Sequence, residues 1–111
     1  MSAGIAWALL LAAGAFEIVW LICMRFSDGF TRLWPSIGVV ASGGLSLILA
    51  AQAVRVLPIG TAYAVWTGIG AAGAALVGML MFGESRDFIR IASLMMVIIG
   101  LVGLKLGGSH A

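Results

Sequence analysis

Residues 4–24 read GIAWALLLAAGAFEIVWLICM, an apolar stretch interrupted by a single charged residue, Glu17. A helix needs about 20 largely apolar residues to cross the hydrocarbon core of a bilayer. The stretch therefore predicts a membrane-spanning helix. The triplet Ala13-Gly14-Ala15 is similar to a signal-peptide cleavage site, but no basic residue precedes it and the apolar run continues beyond it. We expect a span that is not cleaved.

Charged residues divide the rest of the chain in the same way. Residues 33–54, 56–83 and 91–104 carry no charge. Pro35 and Pro58 lie just ahead of two predicted spans, and proline is tolerated in the first turn of a helix. We predict an all-α membrane protein with four short transmembrane helices, at about residues 4–24, 36–54, 60–82 and 88–106. They form a single domain over residues 1–111.

The composition supports this class. Hydrophobic residues make up 63% of the 111 residues and charged residues only 9%, whereas soluble domains have about 45–50% apolar and about 25% charged residues. This excludes a soluble enzyme, and a net charge of +2 is too small for a nucleic-acid-binding surface. Cys23 is the only cysteine, which excludes an internal disulfide and a cysteine-based metal site. We expect no enzymatic activity, cofactor or metal.

Glu17 is the one ionisable residue deep within a predicted span. It lies about 4.5 Å along the helix axis from Gly14, the centre of the span, at a rise of about 1.5 Å per residue. A charge at that depth is costly, so such a residue usually faces a cavity or a partner. The alternative is a protonated carboxyl group that joins two helices by a hydrogen bond.

Small, polar and aromatic residues recur at helical spacing on three of the spans. The residues that share a face are Gly14, Glu17 and Trp20 in the first span, Gly38, Ser42 and Ser46 in the second, and Tyr63, Trp66, Thr67 and Gly70 in the third. If these faces converge, they enclose a chamber with a carboxylate, aromatic rings and hydroxyls but no cation, which favours a cationic ligand. A carboxylate that exchanges a proton for such a ligand is the basis of a proton-coupled cation antiporter. Alternatively, the aromatic residues anchor the interface and the serines join helices.

The distribution of basic residues only weakly favours one orientation of the chain in the membrane. With four spans, both ends of the chain lie on one side of the membrane. Arg55 and Lys105 lie on that side, and Arg25, Arg32, Arg86 and Arg90 lie on the other. Basic residues near the span ends set the topology, so this small bias permits a fixed topology as well as insertion in both orientations. Two oppositely oriented copies would form the inverted repeat on which many transporters are built.

Several stretches resemble the small multidrug resistance family. They are Glu17 within its span, the loop GFTRLWPS at 29–36 and the run PIGTAYAVW at 58–66. The resemblance covers nearly the whole chain. The stretches GAFEIVW at 14–20, WTGIGAAGA at 66–74 and GLVGLKL at 100–106 are similar to the guanidinium-exporter subtype rather than to the polyaromatic-drug subtype.

This resemblance implies an antiparallel, dual-topology homodimer in the bacterial inner membrane that exports guanidinium and small guanidinyl cations in exchange for protons. Glu17 would bind substrate and proton in competition, and the fourth span would dimerise. The residues implied to line the substrate site are Gly14, Trp20, Ser46, Tyr63 and Trp66. Two alternatives are an exporter of quaternary ammonium or other hydrophobic cations on the same fold, and a non-transporting membrane subunit that needs a partner chain.

Overall fold

The computed structural model of the chain describes residues 1–108, and they form four α-helices joined by short loops. The helices are α1 (Ala3–Phe26), α2 (Leu33–Ala53), α3 (Ile59–Met81) and α4 (Phe88–Gly108). Each is long and apolar enough to cross a membrane. The predicted all-α class with four helices of membrane-spanning length is therefore confirmed. The single domain predicted over residues 1–111 extends three residues beyond the described part of the chain.

The helix ends follow from local chemistry. The Ser2 side chain accepts a hydrogen bond from the Ile5 N–H at 3.2 Å and caps α1. The Asp87 carboxylate accepts from the Arg90 N–H at 2.9 Å and caps α4 in the same way. Pro58 is the residue before α3.

Helix α1 packs against α2 and α3, and α3 contacts each of the other three helices, including α4, which packs against no other helix within residues 1–108. Glycine allows the close approach of α1 and α3. A Cβ atom at Gly14 would lie 2.6 Å from Ile69 Cγ2, and one at Gly73 would overlap the Ile18 side chain. This approach brings the middle of α3 next to Glu17.

Many large hydrophobic side chains are exposed on the surface of the four helices. Phe88 is 84% exposed and Trp34 is 78% exposed, and large aliphatic side chains on all four helices are similarly uncovered. A water-soluble protein rarely exposes apolar surface of this extent. The outward faces of the helices are therefore suited to contact with lipid.

Candidate functional site

Glu17 lines a small cavity between α1 and α3. The cavity has a volume of about 180 Å³ and is lined by Glu17, Trp20 and Leu21 of α1 and by Thr67, Gly70, Ala71 and Ala74 of α3. Gly70 leaves room for the glutamate, because a Cβ atom there would lie only 3.2 Å from Glu17 Cβ. The half-buried carboxylate thus borders a space that can hold a small ligand.

Ser46 joins the three helices around this carboxylate. Its side chain is fully buried. Its Oγ lies 3.1 Å from Glu17 Oε1 and 2.8 Å from the Ala13 carbonyl oxygen, both on α1. The Trp66 indole N–H of α3 donates a hydrogen bond to the same Oγ at 2.9 Å. Residues from three predicted faces therefore meet at one hydroxyl group.

The Ser46 hydroxyl has one proton for two neighbouring acceptors. A hydroxyl group donates one hydrogen bond and accepts up to two. Since Trp66 already donates to Ser46, the serine proton is directed either to the Ala13 carbonyl or to Glu17. An ionised Glu17 can accept a hydrogen bond from the serine hydroxyl. A protonated Glu17 can instead donate a hydrogen bond to Ser46 Oγ. Glu17 Oε1 can therefore form a hydrogen bond with Ser46 in either protonation state.

Trp20 lies at the edge of the same cavity and rests on Gly43 of α2. A Cβ atom at Gly43 would lie 2.8 Å from Trp20 Cδ1 and 3.0 Å from Nε1. The absence of a side chain at Gly43 therefore determines where the indole can lie. Gly44, one residue further on, has no atom within 4 Å of the equivalent position.

Of the five residues implied to line the site, Trp20 alone lines this cavity; Ser46 contacts the Glu17 carboxylate and Trp66 contacts Ser46, whereas Gly14 and Tyr63 lie elsewhere. Gly14 is buried and serves the close packing of α1 on Ile69. Tyr63 is 62% exposed and packs edge-on against Trp66, with 6.0 Å between the ring centroids. Together with Trp66 it lines a separate apolar groove beside α2. The assignment of Glu17 and of all five lining residues to a substrate site stays a prediction.

Glu17 forms no ion pair with the basic residues among residues 1–108. Among residues 1–108, the ion pair of the structure joins Arg90 and Glu84 in and after the loop between α3 and α4, at 2.5 Å. None of the described basic residues pairs with Glu17. A carboxylate within a membrane span that has no cationic neighbour favours a proton or a cationic ligand.

Thr67 lines the cavity, although it is not among the residues that the family resemblance implies to line the site. The pattern places it on one face with Tyr63, Trp66 and Gly70, and this shared face was the available signal. In the structure, Thr67 and Gly70 border the Glu17 cavity. The apolar lining residues Leu21, Ala71 and Ala74 have no distinguishing sequence signal.

Comparison with known proteins gives a consistent result. A family model described as Small Multidrug Resistance protein matches residues 5–97. The chain is 49% identical over 100 residues to a guanidinium exporter of Escherichia coli O6:H1, which covers 90% of this chain and 95% of that protein. Guanidinium exporters of Citrobacter freundii and Salmonella thompson are each 51% identical over 100 residues, with the same coverage. These relatives are transporters and not enzymes.

Proposed function

The chain belongs to the small multidrug resistance family, and we propose that it is an antiporter that exports guanidinium and small guanidinyl cations in exchange for protons. The predicted family is confirmed by the comparisons, as is the prediction that the chain is not an enzyme. Its four spans and its exporter relatives make it a multi-pass transporter of the inner membrane. The proposal adds the ligand, the coupling to protons and the role of Glu17.

The observation that carries the proposal is the Glu17 carboxylate beside a small cavity, without a basic partner in the part of the chain that the structure describes. Guanidinium is planar, carries a permanent charge near neutral pH and presents N–H donors as a fork. A carboxylate can grip two of these donors at once. The chemistry of the cavity therefore matches a small cation that is rich in hydrogen-bond donors.

Coupling to protons follows from competition for the same oxygen atoms. Protonation of Glu17 removes the negative charge that holds the cation. Bound guanidinium in turn opposes protonation, and this linkage is reciprocal for the two ligands. The Ser46 hydroxyl supports both states, because it can donate to the ionised carboxylate or accept from the protonated one. One carboxylate thereby serves either ligand, but not both together.

We further propose that two copies assemble in opposite orientations. A Cβ atom at Gly100, Gly103 or Gly107 of α4 would meet no atom within 4 Å, so this glycine ridge is uncovered in the single chain. Small residues allow helices to approach closely in lipid. A second copy packed there would cover the ridge, and the nearly balanced basic residues favour insertion in both orientations. The bilayer and a second copy of the chain are the proposed partners, together with the cation and protons.

Transport by purified protein tests the proposal. The protein is reconstituted alone into proteoliposomes, and uptake of guanidinium is compared with uptake of a bulky quaternary ammonium ion under a proton gradient. We expect guanidinium to be transported faster, because a quaternary cation has no N–H group for the carboxylate. Faster transport of the quaternary ion would favour the alternative exporter on the same fold. Uptake that appears only with an added partner chain would instead favour the non-transporting subunit.

A further inference from the structure

Thr67 borders the Glu17 cavity from the opposite helix. It lies on α3, together with Gly70, across the cavity from Glu17 and Trp20 of α1. It is exposed in the single chain, so its side chain is accessible to a ligand in this cavity. Thr67 is the one cavity-lining residue of α3 that carries a polar side chain.

The hydroxyl proton of Thr67 is used within its own helix. Thr67 Oγ1 donates to the Tyr63 carbonyl oxygen at 2.8 Å, and the Ala64 carbonyl lies further away, at 3.4 Å. A hydroxyl group has a single proton and two lone pairs. No group among residues 1–108 donates to Thr67 Oγ1. Thr67 Oγ1 can therefore still accept a hydrogen bond, but its proton is already used.

The other polar groups near the cavity differ in this respect. The Trp20 indole can only donate a hydrogen bond. Ser46 does not line the cavity, and its Oγ already accepts a hydrogen bond from Trp66. Thr67 and Glu17 are therefore the two side chains on the cavity wall whose oxygen atoms can receive N–H donors from a ligand.

From this arrangement we propose that Thr67 determines specificity by accepting an N–H of the guanidinium ion held by Glu17. The inference rests on the proposed function. A carboxylate that grips one edge of guanidinium leaves the N–H groups of its other edges without partners. An acceptor on the opposite wall satisfies one of them, and a site built to accept an N–H discriminates against ligands that lack it. A quaternary ammonium ion has no N–H and gains nothing from Thr67.

Binding to three variants of the full-length protein in detergent tests this role. Thr67→Val keeps the shape of the side chain but removes the oxygen, and Thr67→Ser restores it. Thr61→Val is the matched control, since Thr61 lies on the same helix but outside the cavity lining. We expect Thr67→Val to weaken guanidinium binding about tenfold, the loss of one hydrogen bond to a charged group. Thr67→Ser and Thr61→Val should stay within about threefold of wild type, which corresponds to less than half of that free energy.

Two further measurements separate this role from a structural one. Proton binding to the ligand-free protein, followed by pH titration, should be the same in Thr67→Val and wild type. Binding of tetraethylammonium, however weak, should also be unchanged. If Thr67→Val does not fold, Thr67→Ala replaces it and the same outcomes apply.

Equal guanidinium affinities of wild type and Thr67→Val would overturn the inference while leaving the proposed function intact. A parallel loss of guanidinium and tetraethylammonium binding would also overturn it, because that pattern indicates a damaged site. If wild type itself does not bind guanidinium, the proposed function fails and this inference fails with it.

Discussion

Ser46 and Trp66 form a hydrogen bond whose contribution can be isolated by a double-mutant cycle. The Trp66 indole N–H donates to the fully buried Ser46 Oγ at 2.9 Å. Ser46→Ala removes the acceptor and leaves the indole N–H without a partner. Trp66→Phe removes the donor and keeps most of the ring. The double variant removes both, so the non-additivity of the three changes reports the pair itself.

The expected loss in the free energy of unfolding follows from the surroundings of Ser46 and Trp66. A buried donor left without an acceptor costs about 1–3 kcal/mol, and side-chain hydrogen bonds between membrane helices average about 0.6 kcal/mol, with a maximum of about 1.7 kcal/mol. Because Trp66 is only half-buried, we expect the cost of its unpaired indole N–H to stay below the upper end of this range. We therefore expect Ser46→Ala to lower the free energy of unfolding by about 1–2 kcal/mol, with a coupling to Trp66 of about 1 kcal/mol.

The assay is reversible unfolding in mixed detergent micelles, with helicity as the readout. Ser42→Ala is the matched control, because Ser42 is also a buried serine of α2 but donates to the Gly38 carbonyl of its own helix at 2.6 Å. It should change the free energy of unfolding by less than about 0.5 kcal/mol. A Ser46–Trp66 coupling near zero would refute the reasoning. So would a Ser42→Ala effect as large as that of Ser46→Ala.

Three other outcomes are expected. Gly43→Ala should displace the Trp20 indole, lower the free energy of unfolding by about 1–3 kcal/mol through overpacking and weaken guanidinium binding. Gly44→Ala should have none of these effects, and equal guanidinium affinities of the two variants would contradict the Gly43–Trp20 contact. Arg90→Gln, which breaks the partly exposed ion pair with Glu84, should change the free energy of unfolding by less than about 1 kcal/mol; a larger loss in detergent unfolding would show that the pair stabilises the loop. In a Cys23→Ser background, labelling of a cysteine added at the C-terminus should find that end on both sides of the membrane in comparable amounts. Labelling from one side only would contradict dual topology.

The sequence predicts all four helices, and the differences lie at their ends. The second span is predicted at 36–54, but α2 begins at Leu33, ahead of Pro35. Proline is accepted there because the first four N–H groups of a helix have no partner within it. The fourth span is predicted to end at 106, but α4 continues to Gly108, and Lys105 Nζ lies 5.7 Å from the centroid of the Trp7 ring. Charges mark the edge of the apolar stretch, which need not be the end of the helix.

The candidate site was only partly predictable. The depth of Glu17 and the face that includes Ser46 follow from spacing, and the structure brings Ser46 and Trp66 together at the carboxylate. The contact of Ser46 with the Ala13 carbonyl could not be predicted, because a backbone acceptor has no sequence signal. The contact of Trp20 with Gly43 depends on how closely α1 and α2 approach, which spacing within one helix does not determine.

Competition between guanidinium and protons at Glu17 is the central claim, and proton release on ligand addition tests it most directly. Guanidinium is added to purified protein in weakly buffered detergent solution, and the change in pH is recorded. Wild type should release protons, whereas Glu17→Gln, which keeps the size of the side chain but cannot ionise, should release none. Glu84→Gln is the matched control, since it removes a partly exposed carboxylate outside the spans, and it should behave as wild type. Equal release from wild type and Glu17→Gln would contradict the account.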